Sequence, residues 1–129
     1  MAKNQATFFN MKNYRQKLGS AGEKIAEKYL KDKGYRIKQK NFRVREGEID
    51  LVAEFQDTLV FVEVKTRTSA RFGPPEEAVD LKKRQKYSAV IEKYLEKNKI
   101  KNVIWRFEII SLIFCRERKK IIIRHLKDL

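Results

Sequence analysis

An acidic and a basic residue, Glu63 and Lys65, stand two positions apart inside an otherwise apolar segment, Thr58–Arg67. Side chains in a β-strand alternate between its two faces, so Glu63 and Lys65 project from the same face. The same acid-x-Lys spacing also occurs at Asp80 and Glu117, so spacing alone is not specific. Whether Glu63 has a chemical role therefore depends on the residues that the neighbouring strands place beside it.

The segment before it, Gly47–Phe55, has the alternating pattern of a strand, and Gln56-Asp57 predicts the turn of a hairpin. A hairpin closed at these two residues places Asp50 directly opposite Glu63. A slip of one residue would move the two acids to opposite faces of the sheet and would also break the apolar face. The hydrophobic pattern therefore predicts a pair of facing carboxylates.

The same register predicts one continuous apolar face and sets Glu48 opposite Lys65. The residues expected to meet across this face are Ile49, Leu51 and Ala53 with Val64, Val62 and Val60. Glu48 is open to two interpretations, a supporting partner of Lys65 at a site or a surface ion pair with it. An exposed pair of that kind contributes only ~0–1 kcal/mol.

Two carboxylates about 4 Å apart repel by about 4 kcal/mol at an effective dielectric near 20. A divalent cation between Asp50 and Glu63 would turn this repulsion into a binding site, and Mg²⁺ commonly joins one or two carboxylates to a substrate phosphate. Lys65 would then position an attacking water or stabilise charge on the phosphate. The pattern indicates phosphodiester hydrolysis, and the alternative is that Glu63 and Lys65 form an ordinary solvated strand face.

A third acid, Glu23, lies at the edge of the apolar stripe of the first predicted helix, where it can point toward the sheet. There it would add a carboxylate to the metal site. The alternative is local, because Ser20-Ala-Gly-Glu23 matches a capping box in which Glu23 only satisfies the Ser20 backbone N–H.

The composition indicates a polyanionic partner. The chain has 129 residues with 31 Lys and Arg against 17 Asp and Glu, a net charge of +14, which favours nucleic acid. The single cysteine excludes an intramolecular disulfide and a cysteine-rich zinc site. We find neither an apolar run of membrane-spanning length nor a signal peptide, so we expect a cytoplasmic protein without a membrane partner.

The predicted organisation is a basic, flexible N-terminal tail over residues 1–13 and a single α/β domain over residues 14–129. Its elements follow the order α-β-β-β-α-β-β. A helix from about Tyr14 or Ser20 to Lys33 precedes strands at 35–45, 47–55 and 58–67; a second helix from Pro75 to about Lys97 precedes strands at 103–114 and 119–126.

Several of these segments resemble the YraN-like bacterial family of predicted endonucleases, which is similar to archaeal Holliday junction resolvases and belongs to the PD-(D/E)xK nuclease superfamily. The resemblance spans roughly residues 18–126. It is carried by Gly19-Ser-Ala-Gly22-Glu23, Ala26, Tyr29-Leu30, Gly34-Tyr35, Asn41-Phe-Arg43, Gly47-Glu-Ile-Asp-Leu51 and Phe61-Val-Glu-Val-Lys-Thr-Arg67.

The resemblance implies a restriction-endonuclease-like fold, a mixed central sheet flanked by helices. It also implies roles for individual residues. Asp50 matches the motif aspartate, Glu63 the second metal-binding acid and Lys65 the motif lysine. Glu23 matches the acid on the helix, and the Val64 carbonyl would complete the metal shell.

We therefore expect a Mg²⁺- or Mn²⁺-dependent DNA endonuclease that hydrolyses phosphodiester bonds in branched or Holliday-junction-like DNA. Two other classes stay open: a basic nucleic-acid-binding protein that keeps the fold without cutting, and an RNA- or ribosome-associated protein. A homodimer would suit a resolvase, with the Phe8-Phe9 tail or the Ile109–Phe114 strand as its interface. The residues expected to contact phosphates are Arg43, Arg45, Arg67, Arg71, Lys82, Lys83, Arg84 and Lys86.

Overall fold

The structure, a computed structural model, describes residues 11–68, 81–115 and 120–127, with side chains described from residue 17 in the first range and from residue 85 in the second. Helix α1 spans Met11–Asp32 and helix α2 spans Leu81–Lys97. The strands are β1 (Arg36–Val44), β2 (Gly47–Phe55), β3 (Thr58–Arg67), β4 (Ile104–Cys115) and β5 (Lys120–Leu126). The predicted order α-β-β-β-α-β-β is confirmed.

The strands form a five-stranded mixed sheet in the order β1-β2-β3-β4-β5. Neighbouring strands are antiparallel except β3 and β4, which run parallel and are joined through α2. A parallel pair needs such a crossover, and an intervening helix usually supplies it. This sheet with its two helices is consistent with the expected restriction-endonuclease-like α/β fold.

The two faces of the sheet carry separate apolar cores. On one face α2 contributes Val90, Ile91 and Tyr94, which pack with Val52, Phe61, Phe107 and Ile109. On the other face α1 contributes Ala26 and Leu30, which pack with Leu51, Ala53, Val60, Val62, Ile110 and Leu112. The sheet is thus buried on both sides, and we call the two sides the α1 face and the α2 face.

The β2–β3 hairpin has the predicted turn and register. Phe55 pairs with Thr58 and the pairing continues to Leu51 with Val62. One predicted feature of the apolar face is wrong, because Ile49 lies in the core of the α2 face while Leu51 and Ala53 lie on the α1 face. The alternation of side chains is therefore broken at Asp50.

The neighbouring strand shows the same break and a backbone reason for it. Phe42, which pairs with Ile49, also lies on the α2 face, whereas Lys40 reaches Glu27 of α1. Between them Asn41 has a positive φ of 51°. A residue with left-handed backbone interrupts the regular alternation of an extended strand, and asparagine tolerates this conformation better than most residues do. The site aspartate thus lies where two adjacent strands change face.

Helix α1 ends as predicted at Gly34, whose φ is +97°. The Tyr35 N–H donates to the Leu30 carbonyl (2.9 Å) and the Gly34 N–H to that of Lys31 (3.0 Å), as in a Schellman motif. The other end differs from the prediction, since α1 begins at Met11 and runs through Ser20. The capping-box interpretation of Glu23 is therefore wrong, because Ser20 is an interior residue of the helix.

A buried polar network joins α1, the connection between α1 and β1, and the strands β4 and β5. Glu108, with no exposed surface, accepts hydrogen bonds at Oε1 from the Tyr35 hydroxyl (2.9 Å) and at Oε2 from Arg106 Nε (2.6 Å). His125 Nε2 lies 2.6 Å from Glu108 Oε1, and its Nδ1 lies 3.3 Å from the Tyr29 hydroxyl. Burial alone would raise the pKa of Glu108, but these hydrogen bonds prevail and lower it.

The remaining predictions fall partly outside the described residues. The Ile109–Phe114 segment is not a free interface, because β4 lies between β3 and β5. Residues 1–10, most of the predicted tail and the Phe8-Phe9 pair, lie outside the description, as do residues 69–80 with the predicted start of the second helix. No helix in the described part of the chain is long and apolar enough to cross a membrane.

Candidate active site

Asp50 is fixed by a hydrogen bond to the backbone of the neighbouring strand. The Val64 N–H donates to Asp50 Oδ2 at 2.7 Å. Pairing between β2 and β3 stops one step earlier, at Leu51 and Val62, so the carboxylate takes up a backbone donor beyond the end of the regular ladder. Asp50 and the segment Glu63–Lys65 therefore meet at the point where the two strands separate.

The surroundings of Asp50 disfavour its charge. Burial raises the pKa of Asp50 to about 6, the Val64 hydrogen bond partly opposes this rise, and the nearby carboxylates of Glu23, Glu63 and Glu48 raise the pKa further. The charges of three acids from α1, β2 and β3 thus act on one partly buried aspartate. Such a concentration of negative charge favours a cation.

Glu63 projects from β3 toward α2 and has a partner at each carboxylate oxygen. Lys65 Nζ lies 3.3 Å from Glu63 Oε1, and both side chains are largely covered, 27% exposed for Lys65 and 18% for Glu63. The Tyr87 hydroxyl of α2 donates to Glu63 Oε2. The prediction that Glu63 and Lys65 project from the same face of the strand is confirmed. Because both side chains are largely covered, they do not form an ordinary solvated strand face.

Glu23 reaches the site because α1 comes unusually close to β3. A Cβ at Gly22 would collide with the Thr66 hydroxyl and lie 3.3 Å from Leu112 Cδ1. Only glycine allows this contact between helix and sheet. It places Glu23, the next residue, near enough to Asp50 to act on its charge.

Glu48 does not form the predicted ion pair with Lys65. Its Oε2 lies 2.9 Å from Arg43 Nε on β1, and Lys65 pairs with Glu63 instead. The cause is the same separation of β2 from β3, which leaves Glu48 registered only with β1. Both interpretations of Glu48 had Lys65 as its partner, and both are therefore wrong.

The predicted phosphate contacts are described only in part. Arg43 is exposed on β1, Arg45 is exposed in the β1–β2 turn, and Arg67 ends β3 partly buried. Lys86 is exposed on α2, one residue before Tyr87. The side chains of Lys82, Lys83 and Arg84 lie outside the described residues, as does all of Arg71.

The donor set fits a hard divalent cation. Asp50 and Glu63 supply carboxylate oxygens and Val64 supplies a backbone carbonyl, all of the oxygen type that Mg²⁺ and Mn²⁺ prefer. In the described ranges no three His, Cys, Asp or Glu side chains are grouped as a metal site. A Mg²⁺ ion does not require such a group, since it is commonly bound by one or two carboxylates with waters and substrate phosphate.

Two contacts of the site were not predicted from the sequence, the hydrogen bond from the Val64 N–H to Asp50 and the one from the Tyr87 hydroxyl to Glu63. The helical pattern of α2 predicts Tyr87 as a buried position. It contains no signal for the acceptor of the hydroxyl group.

Comparison with known proteins gives a consistent assignment. The profile of the uncharacterised protein family UPF0102 matches residues 22–112. A UPF0102 protein of Caldanaerobacter subterraneus subsp. tengcongensis is 48% identical over 101 residues, 78% of this chain and 83% of the relative. One from Alkaliphilus oremlandii is 47% identical over 108 residues, 82% of this chain and 92% of the relative. The matched region includes Glu23, Asp50, Glu63 and Lys65, and the chain belongs to the family UPF0102.

Proposed function

We propose that this protein is a metal-dependent endonuclease that hydrolyses phosphodiester bonds in DNA. The observation that carries the proposal is the position of Asp50, a partly buried carboxylate that is held by the Val64 N–H and whose pKa is raised by burial and by the charges of three further acids. Such a site is electrostatically unfavourable in the absence of a cation. The resemblance of the surrounding motifs to the PD-(D/E)xK nucleases supports the same conclusion.

Asp50 and Glu63 would hold the ion, the Val64 carbonyl would add a backbone ligand, and Glu23 would support the shell. When bound, Mg²⁺ or Mn²⁺ supplies Lewis-acid chemistry that stabilises charge on a phosphate and makes water more acidic. The chain itself contributes a fixed arrangement of ligands. Their positions are set by the β2–β3 register and by the close approach of α1.

Lys65 is a cationic side chain that pairs with Glu63. Its ammonium group can donate to a water attacking phosphorus and to a non-bridging phosphate oxygen. Because it is largely covered and paired with Glu63, it is restricted to the immediate surroundings of the carboxylates. We assign Lys65 the positioning of the nucleophile and the stabilisation of charge in the transition state.

The net charge of +14 and the exposed Arg43, Arg45 and Lys86 support a nucleic-acid substrate. We propose that the protein acts in the cytoplasm and that its substrate is branched DNA of the Holliday-junction type. We also propose that it acts as a symmetric homodimer, since two strands must be cleaved. The same charge favours a second candidate, a nucleic-acid-binding protein that does not cut. Basic residues contact phosphates whether or not cleavage follows.

A substrate panel separates the two candidates. Wild type, Asp50→Asn and Lys65→Ala are incubated with duplex, single-stranded and four-way-junction DNA and with RNA, in Mg²⁺, Mn²⁺ or EDTA. We expect cleavage of DNA by wild type in the metal buffers alone, with losses of at least about 10²-fold in both variants. Binding without metal-dependent cleavage of any substrate would support the non-catalytic candidate.

A further inference from the structure

The Tyr87 hydroxyl reaches the acidic site from α2, on the side of Glu63 opposite Lys65. It donates to Glu63 Oε2, while Lys65 Nζ lies 3.3 Å from Oε1. The carboxylate is therefore held by two donors from two different elements, one on its own strand and one on the crossover helix. A long flexible side chain gains a defined orientation from such a pair of contacts.

The ring of Tyr87 is itself fixed. It stacks on Phe107 with ring centroids 4.3 Å apart and an interplanar angle of 26°. Phe107 is a buried residue of β4, and Tyr87 packs at the edge of the apolar core on the α2 face. A phenol anchored in this way presents its hydroxyl at a defined point with little loss of conformational entropy.

We infer that Tyr87 is a positioning residue that orients Glu63 for binding the divalent cation. The inference rests on the proposed metal site at Asp50 and Glu63. Each carboxylate oxygen accepts about two hydrogen bonds or ligand contacts, so one donor on each oxygen leaves capacity for the ion. Hydrogen-bond partners of metal ligands fix their orientation, and losing one typically lowers metal affinity by about 10–100-fold.

The test uses Tyr87→Phe, which removes the hydroxyl and keeps the ring on Phe107. The matched control is Tyr94→Phe, two turns along the same helix, where the ring packs edge-on against Phe42 and Phe61 at 5.1 and 5.4 Å. Thermal unfolding in EDTA first establishes that both variants fold. Mn²⁺ affinity is then measured without DNA by electron paramagnetic resonance, and DNA affinity in EDTA by fluorescence anisotropy.

We expect Tyr87→Phe to weaken Mn²⁺ binding by about 10–100-fold and to leave metal-free DNA binding unchanged, with Tyr94→Phe equal to wild type in both. Equal Mn²⁺ affinities for the two variants would overturn the inference and leave the proposed nuclease intact. Absence of Mn²⁺ binding by wild type would overturn both. Weakened binding in Tyr87→Phe, with no DNA cleaved by wild type, would support the positioning role and overturn the nuclease.

Discussion

Among single residues, Asp50 is well placed for chemistry, but its negative charge is unfavourable for the folded state. Its pKa is raised by burial and by nearby carboxylates to about 6. A carboxyl whose pKa is higher in the folded state than in the unfolded chain stabilises the fold below pH 4, and this contribution is lost as the pH rises toward 6. At neutral pH without metal, the ionised Asp50 therefore destabilises the protein.

We predict that Asp50→Asn is more stable than wild type at pH 7 in EDTA by about 1–2 kcal/mol, after discounting the full pKa shift for residual solvent exposure. The asparagine can still accept the Val64 hydrogen bond but carries no charge. Chemical denaturation at pH 4 and pH 7 measures the effect, and the advantage should disappear at pH 4. Asp57→Asn, in the exposed β2–β3 turn, is the control. Equal stability of wild type and Asp50→Asn at pH 7 would contradict the electrostatic description of the site.

The central residues of the site were predictable because they depend on local rules. The turn at Gln56-Asp57 and strand alternation together set the register, and the register brings Asp50 to the end of the paired region, beside the Glu63–Lys65 segment. Tyr87 was beyond such reasoning, since it comes from a helix after β3 and meets Glu63 only through the packing of α2 on the sheet. Contacts between elements depend on tertiary geometry that periodicity does not contain.

At the scale of elements, the approach of α1 to β3 determines whether Glu23 reaches the site. We predict that Gly22→Ala destabilises the protein by about 1–3 kcal/mol, because the added methyl group meets Thr66 and Leu112 and must displace the helix. Cleavage should fall as Glu23 moves away. Urea denaturation and a cleavage assay measure the two effects.

Gly19→Ala is the matched control, because a Cβ at Gly19 has nothing within 4 Å. This substitution should stabilise α1 by about 0.5–1 kcal/mol through helix propensity and leave cleavage unchanged. If Gly22→Ala and Gly19→Ala have the same effects on stability and on cleavage, the contact between α1 and β3 is not what positions Glu23.

The Glu108 network joins α1, β4 and β5 with the connection between α1 and β1 on the α1 face. We predict that Glu108→Gln destabilises the fold by about 3–5 kcal/mol, since Arg106 and His125 lose a buried anionic partner. The lowered pKa of Glu108 stabilises the fold above its ordinary value of 4.5, and this contribution is lost as the pH falls below it. The variant should therefore show a weaker dependence of stability on acid pH.

Glu96→Gln provides the comparison, since Glu96 forms an exposed pair with Lys93 at 3.7 Å. Such a pair contributes little, so the change should stay within about 0.5 kcal/mol. If Glu108→Gln and Glu96→Gln lower the free energy of unfolding by similar amounts, burial of Glu108 has no special effect.

The order of the elements was predictable because each has a strong periodic pattern and clear end signals such as Gly34. The change of face at Ile49 was not, because the alternation rule assumes extended backbone throughout. Asn41 with its positive φ breaks that assumption in β1, the partner strand. The start of α1 was also misplaced, because Ser20 and Glu23 match a capping box that the continuing helix overrides.

At the scale of the whole molecule, the net charge of +14 predicts strongly salt-dependent DNA binding. With the Asp50→Asn protein, we expect affinity for duplex or junction DNA to fall by at least about 10²-fold between 50 and 200 mM salt. Lys86→Ala should lower the slope of log K against log salt by about one unit. Fluorescence anisotropy titrations measure both.

Lys99→Ala is the control for Lys86→Ala, since Lys99 lies beyond the opposite end of α2, on the order of 20 Å away along the helix axis. It should leave the salt slope unchanged. If Lys86→Ala and Lys99→Ala lower the salt slope equally, DNA is bound through overall charge and not through the surface beside Tyr87 and Glu63.

We propose that Asp50 and Glu63 form a metal-dependent cutting site. The most direct measurement is a time course of labelled four-way-junction DNA with wild type and with Asp50→Asn, each in Mg²⁺ and in EDTA. We expect cleavage only by wild type and only in Mg²⁺, while the variant still binds the junction. Cleavage that persists in Asp50→Asn or in EDTA, or no cleavage by wild type in Mg²⁺, would contradict it.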